Sequence, residues 1–260
     1  MSDDDTHQTV EALRAELVRS QQQVAEMAAA QEEFLRAVSH DLRAPLRHVT
    51  SYGTLVREVL SDLPADVVQS PGLQEVLGFL TTMDQSARRM GLMIDGLLAL
   101  ARAGRAPLRC EAIALPDAVA QARATLAAAE AGRKVHWHLA PDLPVLQADA
   151  SLLQELLVQV LGNALKFTRG KDEVHIRIAA EPLADGRVAV TVHDNGVGFD
   201  PARAGSLFGV FQRLHRETEF EGVGTGLALC RVIAQRHGAQ ITAAGTPGEG
   251  CQVRLEWPQS

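Results

Sequence analysis

A histidine beside an aspartate, His40-Asp41, is the first candidate for chemistry in the sequence. Val38 and Leu42 each lie about 200° around a helix from His40, so they should face a helix core while His40 points to solvent. An exposed imidazole whose other nitrogen is held by a carboxylate can act as a nucleophile. Pro45 removes a backbone donor, which predicts a bend after the pair. Metal-dependent phosphohydrolases use similar pairs, and an ordinary surface histidine has the same local pattern.

A carboxylate followed by two glycines is the second candidate. Asp194 comes directly after a β-branched run and precedes Gly196 and Gly198. A buried carboxylate at a strand end can accept the exocyclic amine of adenine, and glycines let the backbone approach a ligand without a Cβ in the way. For Asp-Asn-Gly alone, an ordinary turn is the alternative interpretation.

A glycine-rich loop, Gly222-Val223-Gly224-Thr225-Gly226, leads into a predicted helix. Such a loop brings unpaired N–H groups and the positive end of the helix dipole toward a phosphate. Rossmann folds carry similar loops. Here the loop does not follow the first strand of a βαβ unit, which disfavours dinucleotide binding.

Three polar residues, Gln159, Asn163 and Lys166, are spaced to share one face of a predicted helix. An amide oxygen can ligate Mg²⁺, and a lysine can neutralise phosphate charge. A solvated polar face is an equally good interpretation of this spacing by itself.

The first third of the chain has the apolar periodicity of long helices. A seam of moderate quality from Val10 to Val38 predicts a parallel coiled coil that continues as a helix to about Leu60, with a lone surface helix as the alternative. The proline-containing segment Ser61–Gly72 reads as a connector. The helix Leu73–Ala101 that follows has an apolar stripe too broad for one partner, so we expect a homodimer in which two hairpins form a four-helix bundle.

From Leu108 onward, short β-branched runs alternate with helical stretches. The predicted strands are Lys134–Leu139, Glu173–Ala179, Arg187–His193, Gln240–Ala243 and Cys251–Trp257, and the predicted helices are Leu115–Ala131, Ser151–Thr168 and Gly224–His237. The Asp185-Gly186 turn joins two strands with no helix between them, which indicates antiparallel pairing. The sequence therefore predicts an α+β sandwich with helices on one face of a mixed sheet.

The composition excludes several classes of protein. Apolar residues make up 46% of the chain and charged residues 22%, as in ordinary globular domains. A formal net charge of −7 offers no basic field for nucleic acid. There is no run of about 20 apolar residues to span a membrane, and the acidic start is unlike a signal peptide. The three cysteines lack metal-ligand spacing, and Cys230 and Cys251 should be buried and inert, so we expect a cytoplasmic protein.

The order of the four candidate features resembles the transmitter module of bacterial two-component sensor histidine kinases. Ser39–Leu46 is similar to the H box of that family, Leu156–Thr168 to its N box, His193–Asp200 to its G1 box, Leu207–Arg213 to its F box, Gly222–Leu229 to its G2 box and Gly248–Gly250 to its closing glycine turn. The resemblance extends from about Gln31 to Pro258. Around the H box and Phe208–His215 it is greatest to the phytochrome-type subset.

This resemblance implies an acidic coiled-coil lead (residues 1–30), a dimerisation and phosphotransfer domain (31–106) and a catalytic ATP-binding domain (107–260) of the histidine kinase, gyrase, Hsp90 and MutL type. It further implies that His40 accepts the phosphoryl group of ATP and that Asp41 orients or deprotonates it. The remaining implied roles are Mg²⁺ ligation by Asn163, charge neutralisation by Lys166 and Arg213, adenine recognition by Asp194 with Gly196 and Gly198, and phosphate binding by Gly222, Gly224 and Gly226 beneath a mobile lid at about Pro201–Glu221. The expected partners are an aspartate of a separate response regulator and an upstream sensor domain or sensor protein.

Two positions depart from the family pattern. Gln159 stands where the family usually has asparagine, which puts the geometry of Mg²⁺ or the affinity for ATP in doubt. Ala44 stands where many relatives carry threonine or asparagine to position a hydrolytic water, so we expect weak phosphatase activity toward the regulator.

Two other functions stay open. In the first, the chain is a dimeric ATP-binding interaction module without catalysis; Gln159 supports this, whereas the His40-Asp41 pair and the full set of glycines oppose it. In the second, the chain is a simple ATPase like gyrase, Hsp90 or MutL. That function is disfavoured because the glutamate base of those enzymes is missing, the corresponding position being Gln159.

Overall fold

A computed structural model of the chain describes residues 3–105, 107–216 and 218–259. These residues form two compact units, which divide between Ala87 and Arg88.

The first unit is a pair of long helices. α1 runs over Asp3–Ser61, a single-turn helix α2 over Ala65–Val68, and α3 over Pro71–Ala103, of which the first half belongs to this unit. Arg57 donates from Nη2 to Oγ1 of Thr81 at 3.2 Å, so α1 and α3 lie side by side. The two predicted helices are confirmed. The connector is not wholly irregular, because it contains α2. The helix α3 begins at Pro71, inside the predicted connector, because proline suits the first turn of a helix.

Large apolar side chains of the first unit are exposed in a single chain. Met27 is 67% exposed, Phe34 65% and Tyr52 67% on α1, and Phe79 is 60% exposed on α3. Helices with such faces need a further partner to bury them. The predicted seam also includes Val10 and Val24, whose side chains lie outside the described residues. The coiled coil and the dimeric bundle stay predictions.

The second unit is built on a five-stranded sheet in the order β2-β4-β5-β7-β6 and a two-stranded sheet of β1 and β3. The strands are β1 Cys110–Ala114, β2 Lys134–Leu139, β3 Val145–Asp149, β4 Glu173–Pro182, β5 Arg187–Asp194, β6 Gln240–Thr246 and β7 Gly250–Pro258. The helices are α4 Leu115–Thr125, α5 Ala127–Glu130, α6 Ala150–Phe167 and α7 Gly226–Arg236, and Pro201–Ser206 forms a 3₁₀ helix. β2 and β4 are parallel, and the other neighbours in the large sheet are antiparallel.

The predicted mixed sheet and its hairpin at Asp185-Gly186 are confirmed, and two details differ. The sequence analysis missed β1 and β3, which are short and have few β-branched residues. The predicted helix Leu115–Ala131 is two helices, because the chain leaves helical geometry at Leu126 (φ −95°, ψ 5°).

One face of the large sheet is buried against the helices. Along β4, Val174, Ile176 and Ile178 are buried while the residues between them are exposed, which is the period of a strand with one covered face. The apolar side of α6 packs into the same core, with Leu156 and Leu161 fully buried. The helices therefore lie on one face, as predicted, and the opposite face is open to solvent.

A buried histidine joins the end of α7 to the start of α6. His237 donates from Nδ1 to the carbonyl of Ile233 at 2.8 Å, and its Nε2 accepts the backbone N–H of Asp149 at 3.0 Å. Asp149 in turn caps α6 by accepting from the N–H groups of Ser151 and Leu152. Its hydrogen bonds, chiefly that from the Ser151 hydroxyl, lower the pKa of the Asp149 carboxyl to about 2.

Candidate active site

The histidine of the H-box segment lies exposed on α1. The His40 side chain is 83% exposed and that of Asp41 82%, and His40 Nδ1 lies 3.1 Å from Asp41 Oδ1. Because an ionised carboxylate can only accept, Nδ1 carries the proton and the lone pair of Nε2 faces solvent. The predicted exposed imidazole beside a carboxylate is therefore present.

The residues around His40 only partly follow the prediction. Val38 is half-buried, but Leu42 is 47% exposed in the single chain, and the buried neighbour is Ser39. Burial of Leu42 in a bundle core stays a prediction for the dimer. Pro45 lies inside α1, which continues to Ser61, and the bend expected there also stays a prediction.

The second unit contains a cavity of about 310 Å³ between α6, the ends of β5 and β7, and the loop before α7. The predicted nucleotide-binding residues that line it are Gln159, Asn163, Lys166, Asp194, Gly198, Arg213, Gly222, Gly224 and Gly226. The fold thus brings together residues from four separate segments of the chain. Gly196 does not line the cavity, but its backbone N–H donates to Asp194 at 2.8 Å.

Asp194 supplies a buried acceptor to this cavity. It is 6% exposed, and its Oδ1 accepts the N–H of Gly196 at 2.8 Å and that of Cys251 at 3.3 Å. Among the residues that the structure describes, none donates to Oδ2. Burial raises the pKa of the Asp194 carboxyl to about 6, with the two backbone hydrogen bonds opposing the shift. The carboxylate is thus ionised at neutral pH and has an oxygen available to a ligand.

Two glycines of the cavity wall are required by close backbone approach. Gly198 has φ +62°, and a Cβ there would overlap the carbonyl oxygen of Thr246. Gly224 has φ +78°, and a Cβ there would lie 2.5 Å from the carbonyl oxygen of Gln212. Any side chain at either position would force the backbone apart, so these glycines keep the cavity in its present shape.

The polar face of α6 points into the cavity as predicted. Gln159 packs against Gly226, the first residue of α7, where an added Cβ would meet its Oε1. Burial lowers the pKa of Lys166, and the charge of Glu221 partly opposes this shift. The Lys166 Nζ lies 4.4 Å from the ring centre of Phe167. Lys166 is thus a cation held at the cavity wall.

The segment between β5 and α7 is tied down by contacts that the sequence analysis missed. Arg213 donates from Nη2 to the carbonyl of Phe220 at 2.6 Å, and Arg169 forms an ion pair with Glu221. The ring of Phe220 lies 5.0 Å from that of Phe167, centre to centre, in an edge-on arrangement. The ring of His215 contacts both of them, at a centre distance of 5.3 Å from each.

Residues of α3 also line the cavity, and the sequence analysis did not find them. Leu92 and Gly96 belong to its second half, and a Cβ on Gly96 would lie 2.5 Å from the methyl carbon of Thr225. A glycine on one face of a long helix is the sequence signal that could have indicated such a close approach.

The described parts of the chain contain neither a three-ligand metal centre nor a membrane-spanning helix. No group of three His, Cys, Asp or Glu side chains there is arranged to hold a metal ion. Cys230 is buried as expected, whereas Cys251 is only half-buried and Cys110 is exposed. Desolvation raises the pKa of the Cys230 and Cys251 thiols. Over the same residues, no helix has the length and apolar character to cross a membrane.

Two family models match the chain. The model of the His Kinase A (phospho-acceptor) domain matches residues 30–106, which include the His40-Asp41 pair. The model of the histidine kinase-, DNA gyrase B- and HSP90-like ATPases matches residues 148–260, which include Asp194 and the glycine-rich loop.

Curated relatives combine the same two regions. Cyanobacterial phytochrome A of a Nostoc species is 30% identical over 230 residues, covering 87% of this chain and 28% of the relative. The adaptive-response sensory kinase SasA of Thermosynechococcus vestitus is 28% identical over 251 residues, covering 94% of this chain and 64% of the relative. The chain thus spans less than two thirds of the length of these relatives.

A solved structure has a similar fold. Full-length ShkA in complex with AMPPNP matches with a TM-score of 0.59 and 24% identity, over 87% of this chain and 45% of that one. This similarity concerns the fold.

Proposed function

We propose that this chain, which belongs to the two-component sensor histidine kinases, transfers the γ-phosphoryl group of ATP to Nε2 of His40. The observation that carries the proposal is the buried carboxylate of Asp194, which offers an unused oxygen to a cavity shaped by glycines. An exposed imidazole on α1 supplies the acceptor for the phosphoryl group.

The cavity suits ATP at both of its ends. Oδ2 of Asp194 accepts the exocyclic amine of adenine, a donor that a carboxylate binds well. The backbone at Gly222 and Gly224 and the start of α7 receive the phosphates, whose charge is balanced by the helix N-terminus and by Lys166. Arg213 adds a second cation once the lid segment closes over the nucleotide.

The donor set also fits Mg²⁺. The amide oxygen of Asn163 lines the same cavity, and one protein oxygen is enough for an ion that keeps most of its shell as water and phosphate oxygens. When bound, Mg²⁺ neutralises the charge that develops on the transferring phosphate. Gln159 lies one turn from Asn163 and packs on Gly226, so its longer side chain supports the turn that begins α7.

Because Nδ1 of His40 carries the proton, Nε2 is the nucleophile in the transfer step. The Nε2 lone pair of His40 attacks the γ-phosphorus, an N–P bond forms, and the bond to the bridging oxygen of ADP breaks. The ring becomes cationic during the attack, and Asp41 stabilises that charge and then accepts the Nδ1 proton. The products are ADP and a phosphohistidine with a neutral ring and an anionic phosphoryl group, whose reactive N–P bond is suited to onward transfer.

We further propose that an aspartate of a separate response regulator receives the phosphoryl group from His40. In this proposal residues 31–106 form the dimerisation and phosphotransfer domain of a homodimer, and residues 107–260 the catalytic domain. The lead at residues 1–30 connects to an upstream sensor. Ala44 has no polar group to orient a water, so phosphatase activity toward the regulator is weak.

Incubation with γ-labelled ATP and Mg²⁺ tests the proposal. We expect acid-labile, alkali-stable label on the wild-type chain, none on His40→Ala, and full label on His48→Ala, a matched exposed histidine two turns further along α1. Label on His40→Ala would refute the site. Absence of label on a wild-type chain that binds ATP in equilibrium dialysis would favour the non-catalytic module.

A further inference from the structure

Three histidines lie together on the open face of the large sheet. His136 and His138 belong to β2, the edge strand, and His175 belongs to the adjacent β4. The ring of His175 is stacked with both others, at centre distances of 5.0 Å to His136 and 5.7 Å to His138. All three side chains are exposed, because they alternate with residues that face the helices, and none of them lines the nucleotide cavity.

Two nitrogens of this cluster have the separation of ligands on a shared cation. Nε2 of His138 lies 3.4 Å from Nδ1 of His175. Two nitrogens that each bind one tetrahedral zinc at about 2.0–2.1 Å are about 3.3–3.4 Å apart, so the pair needs little movement to hold such an ion. Without an ion, the same distance allows a hydrogen bond between the two rings.

A carboxylate lies near the other nitrogen of the second ring. Glu173 Oε2 lies 3.9 Å from Nε2 of His175. This distance is longer than a hydrogen bond, so Glu173 acts on the ring through its charge, which favours a proton on Nε2 and leaves the Nδ1 lone pair for a cation. The carboxylate also adds negative charge near the site. Arg177, which pairs with His138 in the strand register, adds a positive charge there.

The backbone of β4 near these side chains is held by Asn195, which directly follows the neighbouring strand β5. Asn195 accepts the N–H of His175 on its Oδ1 at 2.9 Å and donates from Nδ2 to the carbonyl of Glu173 at 3.0 Å. The parallel pairing of β2 with β4 sets His136 directly opposite His175. Ligands on regular, hydrogen-bonded strands lose little freedom when they bind a metal.

We propose that His138 and His175 bind one divalent transition-metal cation of the class that prefers imidazole, with zinc as its representative. Water completes the coordination shell, since the chain supplies two ligands at this point, and the site is therefore open and exchangeable rather than structural. His136 stays stacked on the outer side of His175. A bound ion bridges β2 to β4 and so fastens the edge strand to the sheet.

Calorimetric titration of the full chain with Zn²⁺, in excess Mg²⁺ and without nucleotide, tests this site. We expect one binding event that is lost in His138→Gln and in His175→Gln and kept in His193→Gln, a matched exposed histidine on β5. Glu173→Gln should weaken the event by less than about tenfold, because the exposed carboxylate acts on the site only through its charge. Any Zn²⁺ binding elsewhere on the chain is the same in every variant, so the test is the loss of one binding event relative to the wild type.

The proposal is overturned if wild-type chain shows no such event, or if His138→Gln and His175→Gln bind Zn²⁺ as the wild type does. Because the substituted side chains are exposed, we expect every variant to fold, and tryptophan fluorescence of each variant checks this. Because nucleotide is absent, the result is independent of the kinase activity proposed above.

Discussion

The buried carboxylate of Asp194 should contribute less to the stability of the second unit at neutral pH than at acid pH. Its pKa rises from 3.8 to about 6 on folding because burial disfavours the charge. The folded state therefore keeps a proton that the unfolded state releases between those values. The stability that this proton provides is fully present below pH 3.8 and is lost as the pH rises through 6. At about 1.4 kcal/mol for each pH unit, the loss amounts to about 3 kcal/mol.

Replacing Asp194 by asparagine removes the charge and keeps an oxygen for the N–H groups of Gly196 and Cys251. We therefore expect the nucleotide-free Asp194→Asn variant to equal the wild type near pH 4. Its free energy of unfolding should exceed that of the wild type by about 3 kcal/mol at pH 7 to 8. The same variant should fail to bind ATP, because its side chain can present an amide donor to the adenine amine.

Urea unfolding followed by tryptophan fluorescence measures this difference for the second unit of the chain. The chain has two tryptophans, Trp137 on β2 and Trp257 on β7, and both lie in the second unit. Comparing variant with wild type at each pH cancels the titration of all other groups. Asp185→Asn is the control, because the side-chain hydrogen bond from Arg187 lowers the pKa of that carboxyl and the trend with pH should reverse. A stability difference that does not change between pH 4 and pH 8 would refute the reasoning.

Three further predictions concern the same unit. In urea titrations, Gly198→Ala should lower the free energy of unfolding by at least about 3 kcal/mol, because the added Cβ overlaps backbone atoms. Gly205→Ala is the control: no described atom lies within 4 Å of the added Cβ, so the free energy of unfolding should change by less than about 0.5 kcal/mol. Equal effects would contradict the close-approach argument. Adenosine, which has no titrating phosphate, should bind about tenfold more weakly at pH 5 than at pH 8 in equilibrium dialysis, because Asp194 with its pKa of about 6 is then protonated; a flat profile would exclude that carboxylate as the acceptor. A thiol reagent should label exposed Cys110 in the native chain and reach buried Cys230 only after unfolding, as peptide mapping can show; early labelling of Cys230 would contradict its burial.

Local pattern was sufficient for most elements but not for those stabilised by distant partners. β2 was predicted with its observed bounds, Lys134–Leu139, because its residue types favour a strand without help from neighbours. β1, Cys110–Ala114, contains two alanines and one β-branched residue, and it is a strand because it pairs with β3. Pairing between segments so far apart in the chain leaves no periodic signal in either of them.

The candidate site was likewise predictable from local sequence only in part. Asp194 and the glycine-rich loop were identified as candidates from sequence, and the order of the motifs, rather than either motif by itself, favoured nucleotide binding over a turn or a Rossmann-type loop. The ion pair of Arg169 with Glu221 and the N–H of Cys251 that reaches Asp194 were not predicted, because the partners are 52 and 57 residues apart. Charged pairs on a surface and backbone donors have no distinctive local sequence.

His237 fixes the end of α7 to the start of α6. His237 ties the last residues of α7 to the first residue before α6, while Gly226 at the other end of α7 meets Gln159 beside the cavity. The two helices thus run antiparallel and are joined at the end away from the cavity. A change in the angle between them would therefore widen or narrow the cavity most at the phosphate-binding end. Buried side chains of both helices, Leu156 and Ile233 among them, belong to one core, whose packing opposes such a change.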